Sequence, residues 1–316
     1  MSDTARGREI DAGCVNTYAE LCPEKLVRLS EYRYELQLYD IANRALAEKG
    51  TRALLLAGPS ASSKTTTAQK LREMLELCGR EARIISIDDF FLGLECLPVL
   101  PDGSYDMETL DGVDVELAQE CFRRLLEDGR AELPEFDFGT QSRSARTREV
   151  ELGQDGIVII EGTHALNPAF SERLPQVGTL RVCTGAGTGF YSQGAQVFSP
   201  RDVRLARRIV RDQLFRGWSA EKTLMQWGSV CAGEERFIDP YTGLADMRLD
   251  STLDYEPAVL RGYVEPLLGG IDEGSRFYGA ALELREKYGH FDPLPPEMIP
   301  KESLLREFVG VTNCPH

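Results

Sequence analysis

The chain has 316 residues, 42% of them hydrophobic and 28% charged, and a formal net charge of −15. That length allows one large or two modest domains, with a sizeable core in either case. The acidic balance argues against a general nucleic-acid binder, because phosphate backbones are held mainly by Lys and Arg; a small anionic ligand needs only a local positive patch.

In chain order, residues 1 to about 15 read as loose. Over 23–49, Leu26, Leu29, Leu36, Leu38, Ile41 and Leu46 give an irregular helical pattern that stops at Gly50. RALLLAG is a short apolar run, a buried strand ending at Gly58. Ala68, Leu71, Leu75 and Cys78 share one face of a helix over 64–78, with Gly79 as its C-terminal stop. RIISIDDFF is a second buried strand with two aspartates at its end, so strand, loop, helix and strand open a parallel α/β sheet. Residues 92–112 hold Pro98, Pro101, Gly103 and Gly112, an irregular excursion. A helix over 114–128 follows, with Leu117, Phe122, Leu125 and Leu126 as its apolar face. DGIVIIEG and TLRVC are a third and a fourth strand. The Gly/Ser-rich TGAGTGFYSQG reads as a loop, 201–215 as a basic helix and ADMRLDS as a candidate fifth strand. From Glu256 onward the pattern is mostly helical, with a Pro-rich connector, FDPLPPEMIP.

Eight scattered cysteines without a C-x-x-C pair, and three His, disfavour a zinc site and fit a reducing compartment. The polar start MSDTARGREIDAG lacks the apolar segment of a signal peptide, and no apolar run reaches bilayer length. The expectation is a cytoplasmic protein without membrane or nucleic-acid partners.

GPSASSKTT, residues 58–66, has the outline of a Gly-x-x-x-x-Gly-Lys-Thr phosphate-binding loop, with Ser63 in place of the second glycine. Such a loop works by aiming backbone N–H groups, at a helix N-terminus, towards an anion. Gly58, Ser60, Ala61, Ser62, Ser63, Lys64, Thr65 and Thr66 are the candidate nucleotide-binding residues. Lys64 would reach the outer phosphates and the Thr65 hydroxyl would hold magnesium. If position 63 requires positive φ, serine there costs about 1–2 kcal/mol, and its side chain threatens to crowd the phosphates. A serine-rich helix cap is the plainer alternative. Asp88 and Asp89 end the second strand, where α/β sheets gather ligands. An aspartate there can take the proton of a hydroxyl attacking a γ-phosphate; a turn or N-cap aspartate is the alternative. Glu161, after four apolar residues, stands where an acid holds the magnesium shell, or else forms a strand-end salt bridge. His164 reads as structural. Between 201 and 216 lie six Arg and two Asp, a local charge of about +4. Arg201, Arg204, Arg208 and Arg211 share one helix face, suited to neutralising a transferring phosphoryl group, and the preceding Gly-rich loop suggests a movable lid. A solvated helix paired to acidic neighbours is the bland alternative.

Taken together, GPSASSKTT, IDDFF, SYDMETLDGVD, FDFGTQSR, IVIIEGTHALNP, DVRLARRIVRDQLFRG and the AD of LADMRL resemble the uridine kinase / phosphoribulokinase family of P-loop kinases, the uridine kinase branch most closely. The resemblance runs from about Leu54 to Asp246. IPKESLLREFVG looks like the tail of a bacterial uridine-kinase-like subgroup. The resemblance implies Asp88 as the general base towards a ribose 5′-hydroxyl. It implies Asp106, with Asp111 as the alternative, as a ribose ligand, and Arg208, Arg211 and Arg216 facing the triphosphate. Uridine kinases read Tyr-Asp-Phe-x-x-His-x-Arg where this chain reads from Phe136 to Arg143, so Phe136 replaces the tyrosine and Gln141 the histidine that contact the pyrimidine. Phe136 keeps stacking without a hydroxyl, and Gln141 hydrogen-bonds with different reach. Such changes retune a site built on hydrogen bonds.

The expectation is therefore a single α/β P-loop kinase domain, a parallel sheet flanked by helices, over 51–255. A helical extension precedes it at 1–50 and a helical tail follows at 256–316. Expected chemistry is phosphoryl transfer from ATP or GTP, with Mg2+, to a hydroxyl of uridine or cytidine. Catalytic residues would be Asp88, Lys64, Arg208 and Arg211. Arg216 would bind the nucleotide; Asp106, Phe136, Gln141 and Arg143 the acceptor; Thr65 and Glu161 the metal. Rival readings are another nucleoside, sugar, polyol or pantothenate-like acceptor, a non-catalytic nucleotide-binding regulator, and terminal helices that serve assembly of a homo-oligomer.

Overall fold

The computed structural model describes residues 7–48, 50–99, 105–106, 108–137, 140 and 142–310. The chain opens with β1 (Glu9–Asp11), α1 (Ala12–Leu21) and α2 (Pro23–Ala47). β2 (Thr51–Ala57), α3 (Lys64–Leu77) and β3 (Ala82–Ser86) follow, then α4 (Val115–Glu127). A hairpin of β4 (Arg130–Asp137) and β5 (Ser142–Glu151) precedes β6 (Ile157–Glu161), the short α5 (Pro168–Ser171) and β7 (Gly178–Gly185). A second hairpin, β8 (Gly189–Ser192) and β9 (Ala195–Phe198), leads into α6 (Pro200–Arg216) and α7 (Ala220–Phe237). The chain ends with β10 (Met247–Asp250), α8 (Glu256–Gly269), α9 (Tyr278–Tyr288) and α10 (Arg306–Val309).

The predicted apolar strands build one parallel sheet in the order β10-β7-β2-β6-β3. Because side chains alternate across a strand, Leu54, Leu56, Ile157, Ile159, Leu180 and Val182 face one core, shared with α2, α3, α6, α8 and α9. Ala53, Leu55, Ile85, Val158 and Ile160 face the other, under α4 and the β4–β5 arm. β2 lies centrally between β6 and β7, so the loop leaving it opens at the point where the connections diverge to either side, where sheets of this type take ligands.

Two expectations are corrected. Residues 9–15 are not loose: β1 pairs in parallel with β8, and Asp11 caps α1 through the Cys14 N–H. Residues 184–194 are not an open lid loop: they finish β7 and form β8, whose Phe190 is fully buried against Phe198 and Phe291. Gln193 and Gly194 make the hairpin turn with φ of 52° and 83°, the paired positive values a two-residue hairpin favours. Among the described residues, no helix is long and apolar enough to cross a membrane.

The entry to α6 is held by a reciprocal cap. Ser199 Oγ accepts the Asp202 N–H at 3.2 Å, and Asp202 Oδ2 accepts the Ser199 N–H at 2.7 Å. Ser199→Ala should therefore lower stability by about 1 kcal/mol, read as a shifted urea midpoint at unchanged slope. An unmoved midpoint would mean that packing alone sets where α6 begins.

Candidate active site at the phosphate-binding loop

Gly58 follows β2, where only glycine fits: a Cβ there would stand 2.2 Å from the Thr184 carbonyl oxygen and 2.6 Å from Ser62 Oγ. Beyond it the loop holds two non-glycine residues in the left-handed region, Ala61 at φ 59° and Ser63 at φ 66°. The strain expected at Ser63 is thus present, about 1–2 kcal/mol for each such residue. Ser63 does not use its side chain to cap α3, which removes the plainer helix-cap reading. Its Oγ instead lies 3.4 Å from Arg207 Nη1 in the protein interior.

Three consecutive carbonyls of this loop are held by donors. Arg204 Nε donates to Ser60 O at 2.9 Å, Arg207 Nη1 to Ala61 O at 3.1 Å and Thr184 Oγ1 to Ser62 O at 3.4 Å. In a trans peptide the C=O and the following N–H point in opposite directions. Pinning these carbonyls therefore turns the N–H groups of Ala61, Ser62 and Ser63 the other way. The first-turn amides of α3, which lack intrahelical acceptors, extend that row into an anion cradle. Ser62 Oγ is buried with no hydrogen-bond partner among the described residues, a donor that suits a phosphate oxygen. Ser60 is clasped further: its N–H donates to Glu234 Oε1 at 3.1 Å, and its Oγ accepts from Arg208 Nη1 at 2.8 Å. Lys64 Nζ arches back to Pro59 O at 3.1 Å. Thr65 is exposed, and the Thr66 hydroxyl donates to Glu307 Oε2 at 2.6 Å.

The acids converge from the neighbouring strands. Glu161 ends β6 in register with Ser86 of β3, and Asp88 follows two residues later. Burial holds the Asp88 carboxyl above its ordinary range; Lys64 opposes this and Asp89 adds to it. Glu161, 5% exposed, is pushed up to about 7 by burial and by Asp88. Asp89 turns elsewhere, to Arg148 of β5 at 3.1 Å, so of the two aspartates it is Asp88 that shares the cleft with Lys64. Thr65 and Glu161 supply hard oxygen donors of the kind magnesium takes. His164 is buried and held neutral, its pKa lowered to about 4 by burial and by Lys64.

α6 is less a solvent-facing lid than a buried rib. Arg204, Arg207 and Arg208 are each under a tenth exposed, while Arg201 pairs with Glu235 at the surface. Asp212, fully buried, gathers Arg208 at 3.3 Å, Arg211 at 3.0 Å and Arg216 at 3.3 Å. Arg216 also packs its guanidinium over the Trp218 ring, 5.5 Å from the ring centre.

On the proposed acceptor side, Phe136 packs edge-on against Phe91 with ring centroids 5.6 Å apart. Arg143 donates to Asp114 Oδ2 and to Phe90 O, both at 3.0 Å. Asp106 Oδ1 accepts the Glu108 N–H at 3.2 Å, and Asp111 donates its own N–H to Thr109 Oγ1. Gln141 lies outside the described residues. The sequence reading missed Arg207, Glu234, Glu256, Glu307 and Glu108, whose carboxyl burial and Glu234 raise to about 7. A signal for Arg207 existed: with Val203 and Val210 it shares the apolar stripe of α6, and a core arginine needs a carboxylate partner.

The Glu161 carboxyl has a pKa of about 7 in the fold and an ordinary value of 4.5. The unliganded fold is thus favoured by protonated Glu161 below pH ~4.5, and this contribution is lost as pH rises through ~7. Glu161→Gln should flatten the stability profile over that window by on the order of 3 kcal/mol, at roughly 1.4 kcal/mol per pKa unit. Denaturant midpoints at pH 5 and 8 measure it; equal slopes for both proteins would place the Glu161 carboxyl at its ordinary value.

Residues 54–184 match the sequence model of the Phosphoribulokinase / Uridine kinase family. The uridine kinase of Saccharomyces cerevisiae is 28% identical over 207 residues, which cover 65% of this chain but only 38% of that protein. The uridine kinase of Borrelia turicatae is 28% identical over 200 residues, 61% of this chain and 82% of the relative. Phosphoribulokinase from Rhodobacter spheroides is a solved structure similar to this one, at 15% identity and a TM-score of 0.44, covering 64% of this chain and 70% of that one. Through its strand, phosphate-binding loop and strand-end acids, the chain resembles the Phosphoribulokinase / Uridine kinase family over residues 54–184.

Proposed function

We propose that this kinase transfers the γ-phosphoryl group of ATP or GTP to a hydroxyl of a small molecule, with the 5′-hydroxyl of uridine or cytidine as the first acceptor to test. One observation carries the reading. Lys64, Asp88 and Glu161 come together at the carboxyl ends of β2, β3 and β6, where Leu56 of β2 and Ser86 of β3 stand in register with Glu161. The loop amides and Lys64 bind the β- and γ-phosphates. Asp88 accepts the acceptor's proton as its oxygen bonds to Pγ and the bond from Pγ to the leaving nucleoside diphosphate breaks. Magnesium, when held by Thr65 and Glu161, neutralises charge on the phosphates. Arg208, Arg211 and Arg216, grouped on Asp212, offset charge on the transferring group. Asp106, Phe136, Gln141 and Arg143 form the acceptor side.

A second acceptor class has its own support. Phe136 and Gln141 stand where uridine kinases carry tyrosine and histidine, so a sugar, polyol or other nucleoside is the alternative on the same machinery.

ADP release from ATP–magnesium with a panel of nucleosides, sugars and polyols tests both. Asp88→Asn should lower turnover by about 10²-fold or more while ATP still binds. Lys64→Ala should lose ATP binding as well. Wild-type turnover in the aspartate variant would remove the base assignment, and tight ATP binding by the lysine variant would remove the loop assignment. No transfer to any acceptor, with ATP bound, would favour a nucleotide-binding regulator.

A further inference from the structure

Arg207 is fully buried, and every donor of its guanidinium is engaged. Nε meets Glu256 Oε1 at 2.5 Å and Nη2 meets Glu256 Oε2 at 2.8 Å. Nη2 also donates to Ser251 O at 2.7 Å. Nη1 is shared among Ala61 O at 3.1 Å, Ser251 Oγ at 3.1 Å and Ser63 Oγ at 3.4 Å. Phe308 of α10 covers the group, with its ring centre 5.1 Å from Cζ. A guanidinium has five N–H donors, and here none remains for a phosphate. Unlike Arg208 or Arg216, Arg207 is therefore a residue that shapes the loop rather than one that touches the nucleotide.

Its two loop partners are Ala61 and Ser63, the loop's two non-glycine residues at positive φ. A side chain at such a position favours relaxation to negative φ, which would rotate the flanking peptides and swing their N–H groups off the cradle. The bond from Arg207 to Ala61 O opposes that rotation, and it is the bond that aims the Ser62 N–H. We infer that Arg207, fixed by Glu256, is the positioning residue that holds this glycine-poor loop in its anion-binding shape. The pair thereby supplies what glycine supplies in the ordinary motif. The inference rests on the reading of the loop as a nucleotide site.

Replacing a buried ion pair by apolar residues of similar volume often preserves the fold. Arg207→Met with Glu256→Leu is thus the central variant, and Glu256→Gln is the milder second one. Both should raise the Kd for ATP–magnesium about tenfold or more, the scale of one relieved left-handed residue. At saturating ATP, the acceptor KM should stay within about threefold. Adding Ala61→Gly and Ser63→Gly to either background should recover most of the lost affinity, because glycine takes positive φ without cost. Hydrogen exchange of the 59–65 amides, read without ligand, should speed up in the ion-pair variants and slow again with the glycines. Unchanged ATP Kd and exchange in a folded apolar-pair variant would overturn the inference, as would glycines that restore neither. Wild-type protein that fails to bind ATP would instead sink the nucleotide reading, while the exchange data still decide whether Arg207 holds the loop.

Discussion

The guanidinium of Arg207 and the carboxylate of Glu256 meet with essentially no access to water. Taking two charges out of water is costly and is offset only when geometry and hydrogen bonding are nearly complete. Here they are, and the partners come from far apart in the chain: the loop after β2, the turn after β10, the start of α8 and the ring of Phe308. Removing one partner of such a pair typically costs about 3–5 kcal/mol. The phosphate-binding loop therefore takes its shape from segments nearly two hundred residues downstream. The C-terminal part also reaches the loop directly, through Glu307 on Thr66.

The cleft in front of that loop is electrically mixed, in a chain of net charge −15. Asp88 and Glu161 crowd each other near one lysine, and both are pushed up towards protonation. The arginines of α6 do not simply spread positive charge over the cleft, because Asp212 collects three of them and Glu234 takes Arg204. An anionic ligand entering here would meet donors already oriented by buried carboxylates. Preorganised dipoles of this kind need little rearrangement when charge develops.

The sheet was legible because buried parallel strands are short apolar runs, and the loop and its acids sit at the ends of those runs. What escaped reading depended on distant partners. GFYS is four residues long and becomes a strand only because β1 and β9 flank it. SRSARTREVE is too charged to read as buried, and its register with β4 comes from the pairing itself. In α7, Gly228 and Gly233 interrupt a weak pattern, yet Gly233 is where the helix passes close to Glu108. Arg207 escaped because grouping Arg201, Arg204, Arg208 and Arg211 on one face of α6 leaves aside the arginine on another face, among Val203 and Val210.

The candidate phosphate-binding residues and the proposed acceptor residues lie on separate elements. The loop, Lys64, Glu161 and the α6 arginines belong to the sheet's central strands and the helices behind them. Phe136 and Arg143 ride on the β4–β5 arm, which is tied to the core by Arg148 on Asp89, Arg143 on Asp114 and Phe136 against Phe91. A glycine-to-serine change inside the loop needs a compensating contact in the core. The two departures from the family pattern thus differ in kind. Ser63 is met by Arg207 within the fold, whereas Phe136 sits on the β4–β5 arm against Phe91.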